Sequence, residues 1–204
     1  MTDASLKAVI LVCTLSPSPT SSSADLLGRQ IGDEFSTHNV HTETVRIVDH
    51  NVKPGIGIDM GDGDAWPAIR EKVLAADILV LATPIWLGHP SSVTQRVLER
   101  LNAESGQTDD TNRPVLFDKA AMIAVVGNED GAHHVIAEVA QGLSDVGYTI
   151  PAQGSTYWVG EAMHGTDYQD LTETPKATAG TTQVAVRNTA HLATLLKQRP
   201  YPAG

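Results

Sequence analysis

Unbroken apolar runs recur along the chain, and amphipathic stretches with helical spacing follow them. Residues 7–13 read Lys-Ala-Val-Ile-Leu-Val-Cys, a short run that suggests a strand buried on both faces. Beyond a cluster of Ser, Pro and Thr at residues 14–23, Leu27, Ile31 and Phe35 recur every four residues. Ser22 or Ser23 is the natural N-cap of that helix. Residues 45–48 are a candidate second strand. A loop rich in Gly, Asp and Pro (49–64) leads to a helix starting near Asp64. Pro67 is tolerated in its first turn, and Trp66, Ile69 and Val73 form its apolar face. Ile78-Leu79-Val80-Leu81-Ala82 is the clearest buried strand, and Pro84 is expected to stop it. Val93, Val97 and Leu101 mark a third helix. Residues 120–126 form another apolar run closed by Gly127, and Val135, Val139, Leu143 and Val146 mark the helix after it. Residues 148–152 are expected to be the last strand, and Ala185, Asn188, Leu192 and Leu195 the inner face of the final helix.

Strand and helix thus alternate about five times, which predicts an α/β fold with a parallel sheet covered by helices on both faces. With right-handed crossovers, five such units fit a doubly wound five-stranded parallel sheet in the order 2-1-3-4-5. A single domain is expected over residues 1–204, with its core at about 7–196. Ligands of such sheets sit at the carboxyl ends of the strands, where strand order reverses. The loops after strands one, three and four are therefore the candidates for chemistry.

Composition narrows the functions. Apolar residues make up 41% of the 204, enough for a packed interior. The net charge of -10, from 24 acidic and 14 basic residues, argues against nucleic acid and anionic lipid as partners. Cys13 is the one cysteine, so an intramolecular disulfide or a thiolate cluster is excluded. The first seven residues lack the pattern of a secretory signal, and no apolar run approaches the roughly 20 residues of a membrane span. A cytoplasmic location is expected.

The first loop, residues 14–23, carries seven hydroxyl side chains in ten residues and ends at a helix N-terminus. Unpaired N–H groups and the helix dipole favour phosphate there. The loop lacks both Gly-Lys-Ser/Thr and Gly-x-Gly-x-x-Gly, so a terminal monophosphate fits better than a triphosphate or a dinucleotide pyrophosphate. A Ser/Pro-rich capped turn is the structural alternative. The second loop, Ala82-Thr83-Pro84-Ile85-Trp86-Leu87-Gly88-His89-Pro90, offers an aromatic and a Pro-Ile wall to a flat ligand, unless Trp86 packs inward. The third, Gly127-Asn128-Glu129-Asp130-Gly131-Ala132-His133-His134, sets two glycines around three polar residues, which permits close backbone approach. As a plain capped turn it would place Asp130 at the helix start. His133 and His134 are adjacent and share no helix face, and no third ligand is expected at helical spacing, so no metal is assigned. A fourth region, residues 153–180, has little periodicity and contains Tyr157, Trp158, Met163, His164 and Tyr168. Its length suggests a lid or binding loop, against the alternative of a surface excursion. Cys13 is expected to be inert core.

These segments, in this order, resemble the NADPH-dependent FMN reductase branch of the flavodoxin-like superfamily. The resemblance rests on the loop ending at Ser21-Ser22-Ser23, on Thr83-Pro84-Ile85-Trp86-Leu87-Gly88 and on Gly127-Asn128-Glu129-Asp130-Gly131. It extends to Tyr157-Trp158-Val159-Gly160 and covers about residues 7–196. It implies that Ser16, Ser18, Ser21, Ser22 and Ser23 hold the FMN phosphate. It also implies that Pro84, Ile85, Trp86, Leu87 and Gly88 border the isoalloxazine, and that Gly127, Asn128, Glu129, Asp130 and Gly131 meet the flavin edge. Tyr157 or Trp158 is expected beside the flavin. Many reductases of this type carry an Arg in the phosphate loop. None stands between Thr14 and Ser23, which leaves the phosphate charge to dipoles and hydroxyls. The implied activity is an oxidoreductase that passes electrons from NAD(P)H through FMN to a small acceptor such as a quinone or free flavin. No side chain is assigned as general acid or base. A flavodoxin-type electron carrier and a non-catalytic flavodoxin-fold binding module are the alternatives. The resemblance favours a homodimer or higher homo-oligomer.

Overall fold

The computed structural model describes residues 5–162 and 164–202; Met163, named above in the fourth region, lies outside them. Three strands form the centre: β1 (Leu6–Val12), β3 (Ile78–Trp86) and β5 (Ala120–Gly127). They are the three apolar runs, and nearly every residue in them is buried. Two edge strands flank them, β2 (Val40–Arg46) and β6 (Ser155–Val159). All five are parallel in the order β2-β1-β3-β5-β6. A two-residue strand, β4 (His89–Pro90), folds back antiparallel on the end of β3 and lies outside this order. With β4 set aside, the succession is the expected 2-1-3-4-5 of a flavodoxin-like sheet.

Successive strand residues point to opposite faces, so the core falls into two halves. Helices α1 (Ser23–Ser36) and α5 (Lys176–Gln198) cover Ile10, Val12, Val80, Ala82, Met122 and Ala124. On the other face, α2 (Trp66–Ala75), α3 (Ser92–Leu101) and α4 (Ala132–Asp145) cover Val9, Leu11, Leu79, Leu81, Ile123 and Val125. The apolar faces expected of α1 to α4 are the buried ones: Leu27, Ile31 and Phe35; Trp66, Ile69 and Val73; Val97 and Leu101; Val135, Val139 and Leu143. Among the described residues no helix is long and apolar enough to cross a membrane.

Several expectations are corrected. The second strand is Val40–Arg46 rather than 45–48, and His41 to Thr44 within it are exposed because it forms the edge of the sheet. β3 runs through Pro84 to Trp86. Ala82 O faces β1 and accepts from Cys13 N–H at 2.8 Å. Pro84, two residues on, faces the same side beyond the last β1 residue in register, so its missing N–H has no partner to lose. The last strand is Ser155–Val159 rather than 148–152, since Thr149 makes only an isolated bridge to Ala120. The region 153–180 is therefore no continuous loop: β6 and the first turn of α5 occupy its ends, and a short turn at Tyr168–Asp170 buries Tyr168 between them. Finally, α5 buries Thr178, Thr182, Ala185, Val186, Thr189, Ala190, Ala193 and Leu196. Leu195 is exposed, and Asn188 donates to Ala152 O at 2.8 Å. Ala185 is buried as expected and Leu192 packs on the core, but most of the buried stripe is made of small residues, which let this helix lie close to the sheet.

Candidate functional site

The loops that leave β1, β3 and β5 converge on a cavity of about 210 Å³ at the carboxyl edge of the sheet. Thr14 to Ser16 and Ser21 to Ala24 form one wall, Pro84 to Trp86 a second, and Val126 to Glu129 a third. Asp167 and Gln169, from the segment between β6 and α5, close it.

The hydroxyl loop ends on α1, where the Ser22 side chain accepts from Asp25 N–H at 3.4 Å as the N-cap. The N–H groups of the first helical turn point out of the helix end, with the positive pole of its dipole behind them. Arg46, at the end of β2, braces the loop from behind. Its Nε donates to Ser16 O at 2.9 Å and its Nη2 to Thr20 O at 2.8 Å. The cation missing from the loop's own sequence thus arrives from β2 and is bonded to carbonyls. Ser18 points away from the cavity, and its N–H and hydroxyl both donate to Asp49, at 2.8 and 2.6 Å. Those two bonds hold the Asp49 carboxyl below the usual range. Beyond Arg46 and Asp49 lies a wider groove of about 1000 Å³ that shares Ser21, Ser22 and Gln169 with the cavity. Its other cations are paired, Arg29 with Asp25 and Lys72 with Glu43. We place the site in the smaller cavity, because all three loops meet there.

The second loop is a tight hairpin. Ile85 pairs with Pro90 and Trp86 with His89, and the two turn residues Leu87 and Gly88 have φ of 53° and 79°. Both central residues are left-handed, as a type I′ turn requires. Trp86 is 54% exposed and Leu87 91%, so Trp86 does not pack inward. The third loop is fitted against this hairpin. Gly88 N–H donates to Glu129 Oε1 at 3.0 Å, and Gly131 lies so close that an added Cβ would stand 2.7 Å from Gly88 Cα. Gly131 caps α4 without a side chain, while Asp130 is exposed.

Beneath the hairpin lies a buried chain of hydroxyls that the sequence reading missed. Ser91 Oγ donates to Cys13 O at 2.5 Å and sits 3.0 Å from Thr94 Oγ1, which donates to Thr83 Oγ1 at 2.7 Å. It ties the start of α3 to the ends of β1 and β3. Burial pushes the Cys13 thiol up to about 12, so it is a neutral core group here.

Gln169 and Asp167 were also missed. Gln169 N–H donates to Ser23 Oγ at 3.3 Å, and Asn128 Nδ2 donates to Asp167 Oδ1 at 2.9 Å. Gln169 Oε1 is buried and has no hydrogen-bond partner among the described residues. Tyr157 and Trp158 lie outside the cavity lining. On β6 they point to opposite faces: Tyr157 OH meets His133 Nε2 at 3.2 Å, and the Trp158 ring packs on Tyr168 at 5.4 Å. Strand geometry separates the pair that adjacency in sequence suggested. Glu138 stands one turn after His134, 3.5 Å away, which corrects the expectation that no third ligand sits at helical spacing.

A parallel sheet in this order, with its loops closing on one cavity at the reversal of strand order, defines a flavodoxin-like α/β protein. Comparison with known proteins is more specific. The chain belongs to the NADPH-dependent FMN reductase family, whose description matches residues 6–164, and so stands among flavin-dependent oxidoreductases. It is 36% identical over 206 residues to 8-demethyl-8-aminoriboflavin-5'-phosphate synthase of Streptomyces davaonensis, across 96% of this chain and 80% of that protein. A solved structure of RosB with bound 8-demethyl-8-formylriboflavin-5'-phosphate superposes with a TM-score of 0.87 at 36% identity, over 97% of this chain and 82% of that one. A Mycobacterium bovis protein named divalent metal cation transporter MntH is 40% identical over 169 residues; these are 81% of this chain but 25% of that protein.

Proposed function

We propose that the cavity binds FMN and that the protein uses it to pass electrons from NAD(P)H to a small acceptor such as a quinone or a free flavin. The observation that carries this reading is the meeting, in one cavity, of a hydroxyl-rich helix N-terminus, a partnerless amide oxygen and an apolar hairpin. These residues suit the three parts of the nucleotide. Ser16, Ser21, Ser22 and Ser23, with the first N–H groups of α1, suit the phosphate dianion. Gln169 Oε1 is a buried acceptor without a donor among the described residues, and a ribityl hydroxyl would satisfy it. Pro84, Ile85 and Trp86 offer an apolar wall to the ring, with Leu87 and Gly88 at its rim, and Gly127 to Gly131 border its polar edge. The cavity of 210 Å³ is smaller than the roughly 300–1,000 Å³ of a typical ligand site. It therefore encloses part of the nucleotide and leaves the rest at a mouth where Leu15, Trp86 and Leu87 are exposed. That exposed apolar rim supports a homodimer in which a second subunit completes the cover.

Bound FMN would supply reversible two-electron chemistry. The chain's own residues bind and orient. Arg46 holds the phosphate loop in shape, Glu129 fixes the hairpin through Gly88 N–H, and Asp167 fixes the Asn128 amide. None of these contacts presents a proton donor poised for transfer, so we assign no general acid or base. Tyr157 and Trp158 act, in this reading, through the packing of His133 and Tyr168 and not by touching the ring.

One observation favours a second reading. The 36% relative is named for synthesis of a modified riboflavin phosphate, and the RosB structure holds such a molecule. A flavin phosphate would then be the substrate itself. One experiment separates the two. Incubate the purified protein anaerobically with FMN and NADPH or NADH and follow the oxidised flavin's visible band; in a parallel incubation in air with FMN and an amino-group donor, and again after the first, release the flavin and weigh it. Bleaching with unchanged mass, reversed by a quinone, supports the reductase. A changed flavin mass supports the second reading, and no flavin binding overturns both.

A further inference from the structure

Two segments distant in sequence place three metal-ligating side chains together outside the flavin cavity. His89 opens β4, directly after the hairpin turn, and α4 presents His134 and Glu138 one turn apart. Glu138 Oε2 lies 3.4 Å from His89 Nδ1 and 3.5 Å from His134 Nε2. The two imidazoles meet edge to face with centroids 4.9 Å apart, and the three donor atoms all lie within 4.8 Å of one another. Charge-assisted hydrogen bonds are shorter, about 2.7–2.9 Å. Two ligand atoms held about 2.0–2.1 Å from a tetrahedral zinc stand roughly 3.3–3.4 Å apart. Both contacts to Glu138 lie close to that edge, and the two imidazole nitrogens, within 4.8 Å of each other, reach it by rotation of the rings. Two imidazole nitrogens and one carboxylate oxygen also form the donor set of open zinc sites, with water in the fourth position. All three side chains reach solvent, with 60%, 54% and 40% of their surface exposed, so a cation enters without unfolding. The neighbouring His133 is turned to Tyr157 OH and takes no part.

We propose that His89, His134 and Glu138 bind one zinc-class divalent cation, which pins the β3–β4 hairpin to α4. Imidazole ligands select zinc, nickel or copper over magnesium and calcium. The pinned hairpin carries Trp86 and Leu87, so the cation fixes the rim of the neighbouring cavity. The site stands whether or not that cavity holds FMN.

The test is a zinc titration of tag-free, chelator-stripped full-length protein against a competing chromophoric chelator. One equivalent should bind, with an affinity on the order of micromolar or tighter. His89→Ala, His134→Ala and Glu138→Gln should each weaken it by about tenfold or more, and His133→Ala should leave it unchanged. Zinc should raise the melting temperature of the wild type and of His133→Ala but not of the other three variants, and magnesium should raise none. Circular dichroism checks that every variant is folded. Cobalt in place of zinc should give the intense visible bands of a four-coordinate ion. Absence of saturable one-to-one binding overturns the proposal, and so does binding that survives in the triple variant.

Discussion

Replacing Gly131 by Ala tests whether the second and third loops work as one unit. Gly131 has φ +122°, a conformation L side chains rarely adopt. A Cβ there would stand 2.7 Å from Gly88 Cα, 3.0 Å from Gly88 O and 3.1 Å from Gly88 C. All three are backbone atoms, so no side chain can swing aside, and the hairpin must retreat by roughly half an ångström or more before ordinary contact at 3.4 Å is restored. That movement breaks the 3.0 Å bond from Gly88 N–H to Glu129, a hydrogen bond to a charged group of a kind worth about 1.5–3 kcal/mol. The strained backbone adds about 1–3 kcal/mol. Gly61 separates the two effects: its φ is +90°, yet nothing lies within 4 Å of its added Cβ. Gly61→Ala should therefore show strain alone. Gly131→Ala should lower the melting temperature by roughly 5–20 °C, at 2–4 °C per kcal/mol for a chain of this size. Its FMN affinity, read by quenching of flavin fluorescence, should fall by about tenfold or more, the equivalent of 1.4 kcal/mol. The coupling of the loops is refuted if Gly131→Ala binds FMN like the wild type and melts no lower than Gly61→Ala.

Other expectations follow from the same contacts. Ser21→Ala should weaken FMN binding by about tenfold to hundredfold while riboflavin, which lacks the phosphate, loses little; equal losses in a paired titration would place the phosphate elsewhere. The side chains of Arg100 and Asp64 are fully buried and paired at 2.8 Å, and the guanidinium also donates to the carbonyls of Lys53, Gly57 and Ile58. Arg100→Met should destabilise the fold by about 3–5 kcal/mol in urea unfolding, because it leaves a buried carboxylate without its cation, with only backbone N–H groups as partners; a loss under about 1 kcal/mol would mean the loop does not depend on the pair. Burial pushes the Asp64 carboxyl up, but Arg100 and the N–H groups of Met60, Trp66 and Lys53 outweigh it and hold it well below the usual range. A folded value below the unfolded value of about 3.9 makes this contribution complete above that pH and progressively lost below it. Acid unfolding should accordingly steepen below about pH 4 in the wild type and flatten in Asp64→Asn, and identical acid limbs would refute the assignment.

The centre of the fold is legible in the sequence because burial on both faces leaves an unbroken apolar run, as in β1, β3 and β5. The edges are not. His41, Thr42, Glu43 and Thr44 face solvent on β2, so nothing in their polarity marks a strand. At the start of β6 the cause differs: Thr156 is buried, but its hydroxyl is met by those of Thr181 and Thr182, so a polar residue stands where an apolar one would mark a strand. In α5 the buried stripe is mostly Thr and Ala, and Thr189 satisfies its hydroxyl on Ala185 O at 2.7 Å. Hydrophobicity alone thus finds Ala185 and Leu192 on this face but misses the threonines between them and wrongly adds Leu195. The hydroxyl loop, the hairpin and the glycine loop could be found because each directly follows a legible strand. Arg46, Ser91, Asp167 and Gln169 reach the same place from distant parts of the chain, and only tertiary structure brings them there. Residues 157 and 158 illustrate the converse, since sequence neighbours on a strand belong to different faces.

The hydroxyl chain from Ser91 through Thr94 to Thr83 has a consequence for how this protein can change. It anchors the base of the hairpin to the end of β1 from below, where every group in it is buried and bonded. The tip, Trp86 and Leu87, is held by turn geometry and contributes little to the core. Variation at the tip therefore leaves the floor of the site undisturbed, whereas loss of one hydroxyl below strands its partners in a dry interior. Libraries aimed at new acceptors belong at positions 86 and 87, with 83, 91 and 94 left as they are.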